Sequence, residues 1–440
     1  MKTWRSLALL TITIAVSLLA SAQEPAADGS FFEIRGKIRR ERVAVPAFTG
    51  DAPAAAALTG LMRAGLGMTG MFELVDPAAY PAPVSSAAVE DFAGWKLLGA
   101  DLAIRGQVTR LDTNKYQVEL RCYSIRQEKM VLGKRYSGGR DLFNRIVLRF
   151  LDELIGWLTG TPGALDARIA YVSNVTGRNE IHVMDTDGSH DLALTNNRTL
   201  NLSPAWSPDG RYLLFTGYRA RNPDLYIADL VQGKEFRFYS AEGLNMAGEW
   251  SPDGRTIAFS KEDNGNLDLY LIGVAGKALR RLTSSPGADI SPAWSPDSRF
   301  IAFVSDRAGS PQLYLLNLAR GAESGANPAA RLTPDGSYNS SPAWSPDGKY
   351  IAYTGRMGGQ FELFLLDMTG AGRTIRRLTA TAANEENPSW SPDSRFLAYD
   401  STAAGNYDIY IMSIYGGTPR RITQSPAKDR MPVWSPRVEN

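Results

Sequence analysis

The 440-residue chain has one cysteine, two histidines and a formal charge of only +2. Each shortage closes a class of function. Cys122 has no partner for an internal disulfide. Inside VELRCYSI it is expected as a small buried strand residue, not a nucleophile. Neither His182 nor His190 stands at zinc-ligand spacing from other donors, so both are expected to be structural. The 48 Lys and Arg against 46 Asp and Glu leave none of the basic excess of a nucleic-acid binder. No G-x-S-x-G elbow exists, so a hydrolase of that type would lack its nucleophile. Gly65, Gly67 and Gly70 follow a predicted helix rather than a strand, which removes a dinucleotide loop. The run Asp185-Thr186-Asp187-Gly188 opens like a calcium loop, but no Glu closes it, so it reads as a hairpin. No catalytic site, metal or cofactor is expected. Past residue 19 no apolar run is long enough to cross a membrane.

The first 22 residues stand apart. Lys2 and Arg5 precede an apolar run from Leu7 to Leu19, and Ala20-Ser21-Ala22 follows as a cleavage site. Residues 1–22 therefore read as a secretory signal peptide cut before Gln23. About thirteen apolar residues are too few for a membrane span. Losing Lys2 and Arg5 brings the basic count down to the 46 of the acidic residues. An export signal without disulfides suits a bacterial periplasm. Residues 23–30 are small and polar and are expected to be mobile. Phe31, Phe32 and Ile34 follow as an apolar group able to dock or to extend a sheet edge.

What the chain has in abundance is one phrase. PAWSPDG at Pro204–Gly210 returns as GEWSPDG, PAWSPDS, PAWSPDG and PSWSPDS, and ends truncated as PVWSP at Pro432–Pro436. Trp206, Trp250, Trp294, Trp344, Trp390 and Trp434 are spaced by 44, 44, 50, 46 and 44 residues, the period of a propeller or solenoid. After each full phrase come an apolar strand such as RFIAFVS, a polar loop, a second strand such as QLYLLNL, and a short strand ending in Leu-Thr or Ile-Thr. With the strand that holds the Trp, each unit has four strands, which is a propeller blade. Ser-Pro-Asp-Gly is a type I turn joining the first two strands, and the Trp before it offers apolar area to bury between blades. Residues 168–195 match a repeat that lacks its opening. The C-terminal MPVWSP supplies that opening, so six blades close into a ring with no free sheet edge.

Residues 31–160 carry no repeat and read as a small α/β domain, joined by residues 161–164 to a propeller spanning 165–440. ERVAVPAF and FELVD are strands around the helix AAAALTGLMRAGL. SSAAVEDFAGWKLLGA is a second helix. Three strands follow, and residues 141–158 form an amphipathic helix expected to be capped by Asp141.

Together these segments resemble the TolB family of the Tol-Pal envelope system. LMRAGLGMTGMFELVDP, WKLLGADLAIRGQV and LGKRYS carry the likeness in the first domain, DARIAYVSN opens the ring, and WSPDG-type blades run to PVWSP. The blade phrases alone also fit an accessory propeller of an envelope peptidase or a glycan-binding propeller. The resemblance implies a non-catalytic periplasmic scaffold linking the peptidoglycan-associated outer-membrane lipoprotein Pal to inner-membrane TolA. It implies that Pal binds at the propeller and that the mature N-terminus recruits TolA. The loops leading into each WSP strand differ between blades, and variation on a regular frame is where a specific surface is written. Asn201, Asn245, Asp289, Tyr338, Asn339, Glu385, Glu386 and Asp429 are therefore the expected contacts at the propeller mouth. Phe31, Phe32 and Ile34 are those of the N-terminal segment.

Overall fold

The computed structural model describes residues 40–80, 92–220, 222–325, 328–334, 336–370 and 373–437. The leader 1–22, the segment 23–30 and Phe31, Phe32 and Ile34 lie outside these residues. The α/β domain is built on strands β1 (Glu41–Ala44), β2 (Thr49–Gly50), β3 (Phe72–Leu74), β4 (Leu102–Asp112), β5 (Lys115–Ser124) and β6 (Lys129–Gly138). They form one sheet of order β3-β1-β4-β5-β6, with β2 also on β4. Helices α1 (Ala52–Met68) and α3 (Phe143–Thr159) flank it, and the short α2 covers Phe92–Leu97.

The alternation of β5 sorts its side chains between the two faces. Val118, Leu120 and Cys122 join Leu58, Met62 and Leu66 of α1 and Val147, Leu151 and Leu154 of α3 in one buried cluster. Tyr123 points the other way, toward Trp95 of α2. Burial pushes the Cys122 thiol up to about 12, so it stays protonated in its strand. Helix α1 starts at Asp51, whose carboxylate accepts the Ala54 N–H at 3.2 Å, with Pro53 in the first turn. Helix α3 departs from the expectation: no side chain caps it. A 3-10 turn over Arg140–Leu142 contains Asp141, and the Phe143 N–H bonds back to the Arg140 carbonyl. The tightened turn does the work assigned to Asp141.

The rest of the chain is a six-bladed propeller of four-stranded antiparallel sheets. The inner strands are Asp429–Trp434 in blade 1, Asn201–Trp206 in blade 2, Asn245–Trp250 in blade 3, Asp289–Trp294 in blade 4, Asn339–Trp344 in blade 5 and Glu385–Trp390 in blade 6. Blade 1 is closed across the chain ends, with Asp429–Trp434 pairing Arg168–Ser173 in antiparallel register. The truncated phrase is thus the missing strand of the first blade.

Each SPDG or SPDS turn is held by its own serine. Ser251 Oγ donates to Asp253 Oδ1 at 2.6 Å and accepts the Thr256 N–H at 3.0 Å, and Ser207, Ser295, Ser345 and Ser391 repeat both bonds. Three of the tryptophans stack on the preceding blade: Trp250 on Tyr212, Trp390 on Tyr350 and Trp434 on Phe396, with ring centres 6.3, 6.4 and 6.3 Å apart. The Trp206 and Trp390 indoles donate to the Val433 and Ala343 carbonyls of the blade before.

The α/β domain is fixed to the ring on the side of these turns. Asp152 of α3 accepts the Leu165 and Asp166 N–H groups at 2.7 and 2.8 Å, tying the helix to the segment that enters blade 1. Burial pushes its carboxyl up to about 7 against those two donors. Arg395, from the blade 6 turn, donates to Thr159 Oγ1 at 2.7 Å. Gly70, at φ +64°, lies so close to the Gly416 carbonyl that a side chain there would collide with it. Leu165, Ile169, Phe396, Ile411 and Trp434 of the ring share one buried cluster with the helices of the domain.

Candidate functional site

The opposite face carries the loops that lead into the inner strands. The first residues of these strands are Asn201, Asn245, Asp289, Asn339, Glu385 and Asp429, and all six are buried, at most 4 % exposed. Each is used within the ring, Asn201 and Asn339 by reaching the blade before their own. Asn201 Nδ2 donates to Glu180 Oε2 and Asn197 Oδ1, both at 3.0 Å. Asn245 Nδ2 donates to the Ala241 carbonyl at 2.8 Å. Asp289 accepts Arg307 Nη2 at 3.0 Å, and Asn339 Nδ2 donates to Gln312 Oε1 at 2.8 Å. Glu385 accepts Thr381 Oγ1 at 2.5 Å, and Asp429 accepts Ser425 Oγ at 3.3 Å. Asn201, Asn245, Asp289, Glu385 and Asp429 each bond a residue four positions back (Ser285 for Asp289), so the side chain staples its own lead-in loop. These six expected contacts therefore lie beneath the mouth and shape it. Only Tyr338 and Glu386 of the eight are partly exposed.

The second residue of each inner strand is partly exposed in every blade. Blades 2, 3 and 4 place Leu202, Met246 and Ile290 there, and blades 5, 6 and 1 place Ser340, Glu386 and Arg430. The mouth is apolar on one arc and polar on the other. Aligning the six repeats strand by strand would have shown this split; attention to polar loop residues alone missed Leu202, Met246, Ile290 and Arg430.

The charged arc is held rigidly. Arg430 donates to Asp400 Oδ2 at 2.9 Å and Glu386 Oε2 at 3.2 Å, and its guanidinium lies 4.1 Å over the Tyr407 ring. Tyr407 in turn donates to Glu386 Oε1 at 2.7 Å. Asp400 is fully buried, and burial pushes its carboxyl up to about 6 in spite of Arg430. On the neighbouring blade Tyr338 packs edge-on against Phe361 at 5.5 Å. Charged groups fixed by such bonds meet a partner without first losing rotamer freedom.

Below the mouth the third residue of every inner strand, Ser203, Ala247, Ser291, Ser341, Asn387 and Met431, has φ between 49 and 54°. The ladder slips at each of these bulges. The inner strands enclose a central channel of about 570 Å³, lined mainly by Pro, Ala, Ser and Trp.

Reactive groups elsewhere serve hairpins. His182 Nδ1 lies 3.1 Å from Asp191, which also accepts the Tyr171 hydroxyl at 3.0 Å. His190 sits on the following turn 2.8 Å from Asp185. Among the described residues no three His, Cys, Asp or Glu side chains are grouped to hold a metal ion, and no helix is long and apolar enough to cross a membrane.

Two family models match the chain, the TolB amino-terminal domain over residues 33–131 and the TolB beta propeller domain over residues 156–438. A Tol-Pal system protein TolB of Desulfosudis oleivorans is 38% identical over 211 residues, 46% of this chain and 48% of the relative. That of Syntrophotalea carbinolica is 41% identical over 164 residues, 36% of this chain and 38% of the relative. These matches span about half or less of the curated relatives' lengths. The crystal structure of TolB from Acinetobacter baumannii superposes with a TM-score of 0.78 at 27% identity, covering 91% of this chain and 97% of that one. With both domain models matched in order and the fold shared along nearly its whole length, the chain belongs to the TolB family.

Proposed function

We propose that this protein is a non-catalytic periplasmic scaffold of the Tol-Pal system, joining Pal at the outer membrane to TolA at the inner membrane, for envelope integrity and outer-membrane constriction at division. The observation that carries the reading is the propeller mouth: an apolar arc of Leu202, Met246 and Ile290 faces a polar arc of Ser340 and the ion-paired Glu386 and Arg430 on an otherwise repetitive ring. Such a surface suits a folded protein partner, with apolar area for affinity and fixed charges for orientation. Pal docks there, with Tyr338 and Glu386 as direct contacts. Asn201, Asn245, Asp289, Asn339, Glu385 and Asp429 act from beneath by holding the loops. TolA is recruited by the mature N-terminus through Phe31, Phe32 and Ile34.

The test is binding of Pal to a double variant, Tyr338→Ala with Glu386→Gln. Affinity should fall at least about tenfold, some 1.4 kcal/mol, with the melting temperature nearly unchanged. Full affinity in the folded variant would move the Pal site off the mouth. A chain lacking residues 23–34 should keep Pal binding and lose TolA binding; retained TolA binding would refute the role of the N-terminus.

A further inference from the structure

Glu249 is the one ionisable side chain on the channel wall among the described residues. It stands just before Trp250 on the inner strand of blade 3. At the same place the other blades have Ala205, Ala293, Ala343, Ser389 and Val433. The ring thus asks for no acid there. Glu249 Oε2 accepts the Trp294 N–H of the next blade at 2.8 Å, but Ser389 does the same for the Trp434 N–H at 2.9 Å with a hydroxyl. A partly exposed carboxyl with one hydrogen bond, ringed by prolines and alanines, costs free energy that the fold does not require. Among the described residues its second oxygen has no hydrogen-bond partner, and Glu249 lines the cavity.

We propose that the channel binds a primary alkylammonium group, held by the Glu249 carboxylate. The carboxylate excludes anions. A calcium ion needs six to eight oxygens and a zinc ion about four donors, and one carboxylate with the scattered serines of the wall, grouped with no second His, Cys, Asp or Glu among the described residues, suits neither. An ammonium needs only up to three acceptors, and its alkyl chain gains from apolar walls. Glu249 offers the charged acceptor, and the Ser203, Ser291 and Ser341 hydroxyls line the same channel. A volume of about 570 Å³ lies within the range of small-ligand sites. The group can arrive as a free diamine or as a lysine side chain of a protein.

Desolvation pushes the Glu249 carboxyl up to about 8, with only the Trp294 N–H pulling it down and no charged group of the flanking blades or the opposite wall acting on it. Amines stay cationic well above that pH. Binding below about pH 8 therefore displaces a proton from Glu249, and affinity should fall up to about tenfold per pH unit beneath it.

The experiment is calorimetric titration of the full chain with n-butylammonium, cadaverine and Nα-acetyl-lysine methylamide at pH 6.5 and 8.5, in two buffers of different ionisation heat. Binding in the about 1 mM range is expected. It should strengthen at pH 8.5, release protons at pH 6.5, and weaken at least about tenfold in Glu249→Gln. Glu249→Ala, which installs the residue of three other blades, guards against a folding artefact and should behave alike. Binding of the lysine derivative as tight as butylammonium marks a protein side chain as the source, and binding of the bare amines alone marks a free diamine. No binding of any amine by the unmodified protein, or binding by both variants as tight as its own, overturns the proposal.

Discussion

The two ends of the propeller's inner strands are built by opposite rules. At one end the chain turns five times through Ser-Pro-Asp-Gly or Ser-Pro-Asp-Ser, and each serine makes the same two hydrogen bonds. At the other end no two lead-in loops have the same sequence, and the buried staples beneath them are Asn in three blades and Asp or Glu in the other three. The regular end is also where the α/β domain is fixed, through Asp152, Arg395 and Gly70. The irregular end keeps its arcs partly exposed. Repetition goes with structure, and the proposed recognition goes with variation, because a turn that only closes a hairpin has one good solution, whereas a partner surface has many.

The largest effect is expected from breaking the ring itself. Deleting residues 430–440 removes most of the strand that pairs with Arg168–Ser173 and the buried Trp434. Loss of one such Trp alone costs about 3–5 kcal/mol, so the truncated chain should melt at least about 10 °C lower or fail to fold. Melting at the intact protein's temperature would mean that the closing strand does not hold the ring.

A smaller effect is expected at the joint on the regular end. The Asp152 carboxyl titrates at about 7 in the folded protein and near 4 when unfolded. A raised folded value means that its contribution is fully present below about pH 4 and is lost as pH rises to about 7. In Asp152→Asn this dependence disappears, so the stability gained on lowering pH from 8 to 5 should shrink by about 2 kcal/mol. Denaturant titrations at the two pH values check it, and identical pH profiles for both proteins would show that Asp152 is not protonated there.

Much of this was legible in the sequence. The six tryptophans at blade spacing, the split first repeat and the turn chemistry of Ser-Pro-Asp-Gly by themselves point to a closed six-bladed ring. The bulges were invisible, because their left-handed residues are Ser, Ala, Ser, Ser, Asn and Met, with no glycine to mark them. The mouth was half legible. Asn201, Asn339 and Asp289 looked like exposed loop residues because their partners Glu180, Gln312 and Arg307 are distant in sequence or lie on other strands. Burial of a polar side chain depends on such partners, and a lone stretch of sequence does not display them. Asp141 failed as a helix cap for a nearer reason, the 3-10 turn that forms around it.

The smallest pair of effects sharpens the contrast directly. Ser251→Ala at the regular end removes two hydrogen bonds, and Asn245→Ala at the irregular end frees the lead-in loop at Ala241 and Gly243. Each should cost about 1–2 kcal/mol of stability. Only Asn245→Ala should also weaken Pal binding, since only there does the lost bond shape the mouth. Equal effects of the two on Pal affinity would erase the distinction between the ends.

Hydrogen–deuterium exchange of the full-length protein with and without Pal tests the division of labour most directly, because it reports both ends of every blade in one measurement. Slowed exchange is expected in the lead-in loops, at residues 196–200, 240–244, 284–288, 336–338, 380–384 and 424–428. The SPDG hairpins at 207–211, 251–255 and their counterparts should exchange at unchanged rates. Protection of the hairpins with the lead-in loops unaffected would contradict the assignment of recognition to the variable mouth.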